Sequence, residues 1–177
     1  MPGDIDSVSV FLSEQNLLAQ SEATPESATK ARHPQGHTDA IFSIPYTVAT
    51  SIVKREVFID DFTDDAYRNH EVLSMVDRVS IAIDPDLGRS ETCLSPVRVE
   101  IKTKNGAVYS RRVDFPKGNP KNPVSFEETK HNVAKCVPFA ARSLPLDRVQ
   151  RAIDMVNGLE KVTNVAHLSE LLCGGVG

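Results

Sequence analysis

The clearest structural pattern in the sequence is a run of alternating apolar and charged side chains that ends in an Asn-Gly pair. The run covers residues 96–104, and Asn105 and Gly106 follow it. Alternation with a period of two predicts a strand with one apolar and one charged face. Asn and Gly both accept positive φ angles, so the pair predicts a tight hairpin with an antiparallel return strand over residues 107–113. A sheet with one charged face is expected to carry helices on its other side only.

Two more segments alternate in the same way, residues 6–13 and residues 77–84, and they bring the predicted strands to four. Capping residues and helical spacing predict helices that begin near Ser43, Thr63, Glu71, Ser125, Ser143 and Asn164. The predicted fold class is therefore α+β, with a mostly antiparallel sheet of about four strands and helices covering one face. We expect residues 1–177 to form a single domain.

Residues 14–38 interrupt this pattern, because they are rich in polar side chains and contain Pro25 and Pro34. They predict a long polar loop, which inside a compact domain is generally functional or mobile. His33 and His37 lie in this stretch without a third ligand at metal spacing. We interpret both as exposed loop residues rather than as part of a metal site.

A helix predicted to begin at Ser43 is the strongest local candidate for a binding element. Ser43 is a suitable N-cap, Pro45 fits the first turn, and Tyr46 follows directly. The apolar residues at four-residue spacing, which predict the buried stripe of this helix, are Ile44, Val48 and Ile52. Unpaired N–H groups and the positive end of the helix dipole suit a carboxylate or phosphate, although many such helix ends bind nothing.

Composition excludes several classes of function. Lys and Arg number 20 against 24 Asp and Glu, which gives a net charge of −4 and argues against a nucleic-acid surface. No apolar run approaches the roughly 20 residues that span a bilayer, so no membrane partner is expected. The acidic residues at 60–65 are best explained as helix-start chemistry and a solvated loop, and no metal site is predicted there.

The cysteines and the N-terminus bear on the compartment. Cys93, Cys136 and Cys173 are odd in number and far apart, which favours reduced thiols. The first residues lack the basic start and apolar core of a secretory signal. We expect a cytoplasmic protein, or a mitochondrial one if the source is eukaryotic.

Residues 114–123 are rich in Pro, Gly and Asn and carry Lys117 and Lys121. The two lysines could bind an anionic ligand, and the alternative is that this segment simply connects a strand to a helix.

Three segments of the sequence resemble the C-terminal lid domain of the MmgE/PrpD family. They are Phe42-Ser-Ile-Pro-Tyr-Thr-Val-Ala49, Pro96-Val-Arg-Val-Glu-Ile-Lys-Thr-Lys-Asn-Gly106 and Gly118-Asn-Pro-Lys-Asn-Pro-Val-Ser-Phe-Glu-Glu128. The family includes 2-methylcitrate dehydratase, cis-aconitate decarboxylase and iminodisuccinate epimerase. The resemblance extends from about Asp6 to Leu172 and is weakest across residues 14–38.

This resemblance implies a lid that acts in a lyase or isomerase of small polycarboxylates, with no metal or organic cofactor. It implies that Tyr46 is catalytic and points into the cleft, and that Ser43, Lys117 and Lys121 contact the substrate. A tyrosine with an ordinary pKa near 10 acts as a hydrogen-bond donor or acid rather than as a base. The family's remaining acid–base residues belong to a helical domain, which is absent from this sequence. The expected partner is therefore such a domain in trans, or a further copy in a homo-oligomer.

Two other hypotheses remain open. One is that the chain is a truncated, non-catalytic homologue that serves as a binding or assembly module, which predicts apolar surface exposed on the terminal helices. A third hypothesis is a small-molecule-binding domain unrelated to the family.

Overall fold

A four-stranded sheet organises the first part of the chain in the computed structural model, which describes residues 1–19, 32–88 and 96–173. The strands are β1 (Ile5–Leu12), β2 (Val79–Ile83), β3 (Val97–Thr103) and β4 (Val108–Val113). Their order across the sheet is β2-β1-β3-β4. The β1–β3 and β3–β4 pairs are antiparallel, while β1 and β2 are parallel. The predicted α+β class and the mostly antiparallel sheet are confirmed.

The parallel pair follows from what lies between β1 and β2. Parallel neighbours need a long crossover connection, and helices occupy much of this one. They are α1 (Glu14–Ala19), α2 (His37–Phe42), α3 (Ile44–Lys54) and α4 (His70–Val76).

The predicted loop over residues 14–38 is helical at both of its described ends, and residues 20–31 lie outside the described residues. The prediction of a loop was therefore wrong for α1 and for the start of α2. Each of these helices has six residues, which is too short to show a repeating apolar stripe in the sequence.

The predicted hairpin is present, but its turn differs in detail. Gly106 has a φ of 88°, whereas Asn105 is not in the positive-φ region. The N–H of Gly106 donates to the Thr103 carbonyl at 2.8 Å, and the N–H of Thr103 donates to the Ala107 carbonyl at 2.9 Å. These bonds define a three-residue loop that closes through one left-handed glycine, rather than a two-residue turn.

The core of this part lies between the sheet and helices α3 and α4. Val8, Val10 and Leu12 of β1 are buried, as their alternation predicted. The predicted stripe of α3, Ile44, Val48 and Ile52, is only partly buried and packs at the margin of the core. The buried residues of α3 are instead Pro45, Tyr46, Ala49 and Thr50. Small side chains at positions 49 and 50 allow α3 to approach its neighbours closely. This face of α3 therefore packs against both α4 and the sheet.

The chain forms two compact units, residues 1–116 and residues 117–177. The second unit contains α5 (Phe126–Cys136), α6 (Leu146–Asn157) and α7 (Ala166–Leu172). Helix α5 begins with the predicted capping box, in which Ser125 and Glu128 bond each other's backbone N–H groups. The expectation of a single domain over residues 1–177 stays a prediction.

Candidate functional site

The N-terminus of α3 is built as the sequence predicts. Ser43 has an extended backbone, with φ −84° and ψ 113°, and its hydroxyl accepts the N–H of Tyr46 at 2.9 Å. This bond occupies one of the N–H groups that a helix leaves without an internal partner. Pro45 lies in the first turn, where its missing N–H costs nothing.

The same helix end is enclosed by protein. Ser43 and Tyr46 are each only 1% exposed, and Pro45 is also buried. An anion in solvent therefore does not reach this N-terminus in the conformation that the structure describes. The sequence predicted the capped helix start, but it did not predict the burial of these residues.

Tyr46 uses its hydroxyl within the protein. The O–H donates to the backbone carbonyl of Asp61, with 2.5 Å between the two oxygens. Burial raises the pKa of Tyr46 above its ordinary value of 10.0; the hydrogen bond with Thr50 opposes this rise, and the charge of Asp61 adds to it. The phenol is therefore neutral at physiological pH and serves as a hydrogen-bond donor rather than as a base.

Asp61 ties the segment around residues 58–62 to helix α3. Its carboxylate side chain is 6% exposed and forms an ion pair with Lys54 in the last turn of the helix. Its other carboxylate oxygen accepts the N–H of Phe58 at 2.8 Å. One end of α3 thus holds the Asp61 carbonyl through Tyr46, while the other end holds the Asp61 carboxylate through Lys54.

His37 lies beside this network. Its Nδ1 is 2.9 Å from the Phe62 carbonyl oxygen, and because a carbonyl only accepts, Nδ1 carries the proton. The Phe62 ring packs edge-on against His37, with ring centroids 6.4 Å apart. It also packs at a tilt against Tyr46, with ring centroids 6.1 Å apart. From the sequence, we expected His37 to lie in a loop and residues 60–65 to form no metal site. No sequence signal links these residues, since two of the bonds use backbone carbonyls.

The two predicted substrate lysines lie in the second unit. The ammonium group of Lys117 pairs with Glu128 at 2.8 Å, and the backbone N–H of Lys121 donates to the Asn119 side chain at 2.9 Å. The hydrogen bond from Lys117, with those from Ser125, lowers the pKa of Glu128 from 4.5 to about 2. The structure thus brings Ser43 and Tyr46 together in one unit, and it holds Lys117 and Lys121 on a turn of the other.

Across residues 1–19, 32–88 and 96–173, no three His, Cys, Asp or Glu side chains are grouped so that they could hold a metal ion. No helix within these ranges is long and apolar enough to cross a membrane.

Comparison with known proteins places the chain in a family. Residues 1–161 match the MmgE/PrpD C-terminal domain. The chain is 28% identical over 132 residues to a cis-aconitate decarboxylase of Aspergillus terreus, and 27% identical over 132 residues to one from Aspergillus terreus strain NIH 2624 / FGSC A1156. Each match covers 73% of this chain and 26% of the relative, so the chain spans about a quarter of the length of these curated relatives. The family match extends over most of the sequence, and the chain belongs to the MmgE/PrpD family as a C-terminal domain.

Proposed function

We propose that this chain is the lid portion of a cofactor-independent lyase or isomerase that acts on a small polycarboxylate. Decarboxylation of cis-aconitate and dehydration of 2-methylcitrate are the two candidate reactions. The observation that carries the proposal is the family match over residues 1–161, together with relatives whose name is cis-aconitate decarboxylase. Family membership argues against the hypothesis of an unrelated binding domain.

The proposed substrate-facing element is the N-terminal turn of α3. Its Ser43 cap and the neutral Tyr46 phenol suit hydrogen bonding to a carboxylate. Tyr46 now donates to the Asp61 carbonyl, so contact with substrate requires residues 58–62 to release that bond. Lys117 is proposed to supply positive charge once it leaves Glu128, and Lys121 is proposed to act beside it.

The acid–base residues are proposed to come from the family's helical domain. That domain is expected either in a partner polypeptide or in another part of the same protein. Proton transfer next to a carboxylate needs only side chains with suitable pKa values held against the substrate, so no metal or organic cofactor is proposed.

The test is to co-express this chain with the part of the Aspergillus terreus enzyme that lies outside the matched region. Release of CO₂ from cis-aconitate and loss of water from 2-methylcitrate are then measured. We expect turnover with one of the two acids and a large loss of kcat in Tyr46→Phe. If the wild-type pair is active and Tyr46→Phe is equally active, the catalytic role proposed for Tyr46 is wrong.

A second candidate function is a non-catalytic assembly module. The second unit carries several large apolar side chains that are more than 40% exposed: Leu146, Val156, Leu159, Val165 and Leu172. A groove of about 160 Å³ between α5, α6 and α7 is lined by apolar side chains that include Phe126, Val133, Val149 and Ile153. Exposed apolar surface of this kind marks an interface. A stable complex with the helical domain but no turnover of either acid would favour this second function.

A further inference from the structure

The edge of the sheet at β4 is a surface that neither proposed function uses. Strand β4 is the last in the order β2-β1-β3-β4, and all six of its residues are exposed. Unpaired edge strands present rows of N–H and C=O groups that pair readily with another strand. Within the described residues, β3 is the strand that pairs with β4.

The direction of the backbone groups follows from the hairpin. Thr103 donates its N–H to the Ala107 carbonyl at 2.9 Å, so Ala107 directs that carbonyl toward β3. Antiparallel strands alternate between residues that bond one neighbour and residues that bond the other. The outward-directed residues of β4 are therefore Val108, Ser110 and Arg112.

The side chains show which strand fits this edge. Tyr109 and Arg111 are opposite Ile101 and Val99 on β3, so both lie on the side of the sheet that carries the core. Tyr109 is 64% exposed and reaches beyond that core. Arg111 discourages one way of pairing two β4 strands. If two copies paired antiparallel about Arg111, the two like-charged arginines would lie directly opposite each other.

A two-fold axis through Ser110 avoids this repulsion between arginines. In an antiparallel pair of β4 strands centred on Ser110, each Tyr109 is directly opposite Arg111 of the other copy. The two Ser110 residues then form a hydrogen-bonded pair, and Val108 forms another with Arg112 of the second copy. This register matches the outward backbone groups, avoids a direct contact between the two copies of Arg111, and forms two arginine–aromatic contacts instead.

We propose that a second copy of this chain pairs with β4 in this register, so that the two sheets join into one continuous sheet across a two-fold axis. The proposal depends on the edge strand alone and is independent of the proposed lyase function. The occupant is another copy because the strand is self-complementary about Ser110. An interface of this type is isologous, as in most homodimers.

The test measures the dimer dissociation constant by sedimentation equilibrium. Tyr109→Lys places lysine opposite arginine twice and is expected to weaken the dimer at least about tenfold. The double variant Tyr109→Lys with Arg111→Glu replaces those clashes by two opposite-charge pairs and is expected to restore dimerisation. Val165→Lys changes the exposed apolar surface of the second unit, tests that surface as the alternative interface, and is expected to leave the dimer unchanged.

Several results would overturn this inference. They are a monomeric wild-type chain, an unchanged dissociation constant in Tyr109→Lys, and failure of the double variant to regain affinity while its circular dichroism remains native. A dimer lost in Val165→Lys but kept in Tyr109→Lys would assign the interface to the helical unit instead.

Discussion

Replacing Tyr46 by phenylalanine removes only the hydroxyl oxygen from the protein interior. The ring keeps its place, and the Asp61 carbonyl loses the donor that now lies 2.5 Å away. Because Tyr46 is 1% exposed, water does not readily replace the lost partner. The loss of a hydrogen bond that leaves a buried acceptor unsatisfied costs about 1–3 kcal/mol. We therefore expect the free energy of unfolding to fall by about 1–3 kcal/mol.

Urea unfolding followed by circular dichroism measures this change. With a slope of about 1–3 kcal/mol per molar urea, the midpoint is expected to fall by about 1 M. Tyr109→Phe is the matched control, because Tyr109 is 64% exposed and its substitution should change stability by less than about 0.5 kcal/mol. Equal stability of the two variants would refute the structural role assigned to the Tyr46 hydroxyl.

Three further predictions concern other parts of the structure. Ser43→Ala removes the N-cap of α3 and should cost about 1 kcal/mol in urea unfolding, whereas Ser51→Ala, at an exposed site of the same helix, should be neutral or stabilising. Gly106→Ala forces a Cβ onto a residue with φ of 88° and should cost about 1–2 kcal/mol in the same assay. Glu128 has a pKa of about 2 when folded against 4.5 ordinarily, so its contribution to stability is present above pH 4.5 and is lost as the pH falls toward about 2. An NMR titration should show the folded pKa of Glu128 rising in Lys117→Ala, and an unchanged value would contradict the assigned cause.

The strands and the starts of α3 and α5 were predictable because their signals are local. The helix predicted to begin at Thr63 is instead a three-residue 3-10 turn, Ala66–Arg68. Alternation at residues 96–104 and the Ser43 cap depend on neighbouring residues alone, and the structure contains both features. The parallel pairing of β1 with β2 was not predicted, because it joins segments about seventy residues apart and has no local signature.

The contacts of Tyr46 also could not be predicted from the sequence. The serine, proline and tyrosine of the helix start were recognised, but the contacts of the buried Tyr46 come from residues 58–62, where the Asp61 carbonyl accepts its hydroxyl and the Phe62 ring packs against it. The acceptor of the Tyr46 hydroxyl is a backbone carbonyl, which every residue possesses, so residue type could not identify it. The stripe of α3 was misassigned for a related reason. Apolar spacing identified Ile44, Val48 and Ile52, whereas close packing selected the smaller Ala49 and Thr50.

Our main proposal is that this chain completes an enzyme that acts on a small polycarboxylate. Its most direct test is CO₂ release from cis-aconitate, with water loss from 2-methylcitrate measured in parallel, by this chain co-purified with the family's helical domain. We expect turnover of one acid by the complex and none by either part alone. A stable, folded complex that turns over neither acid would contradict it.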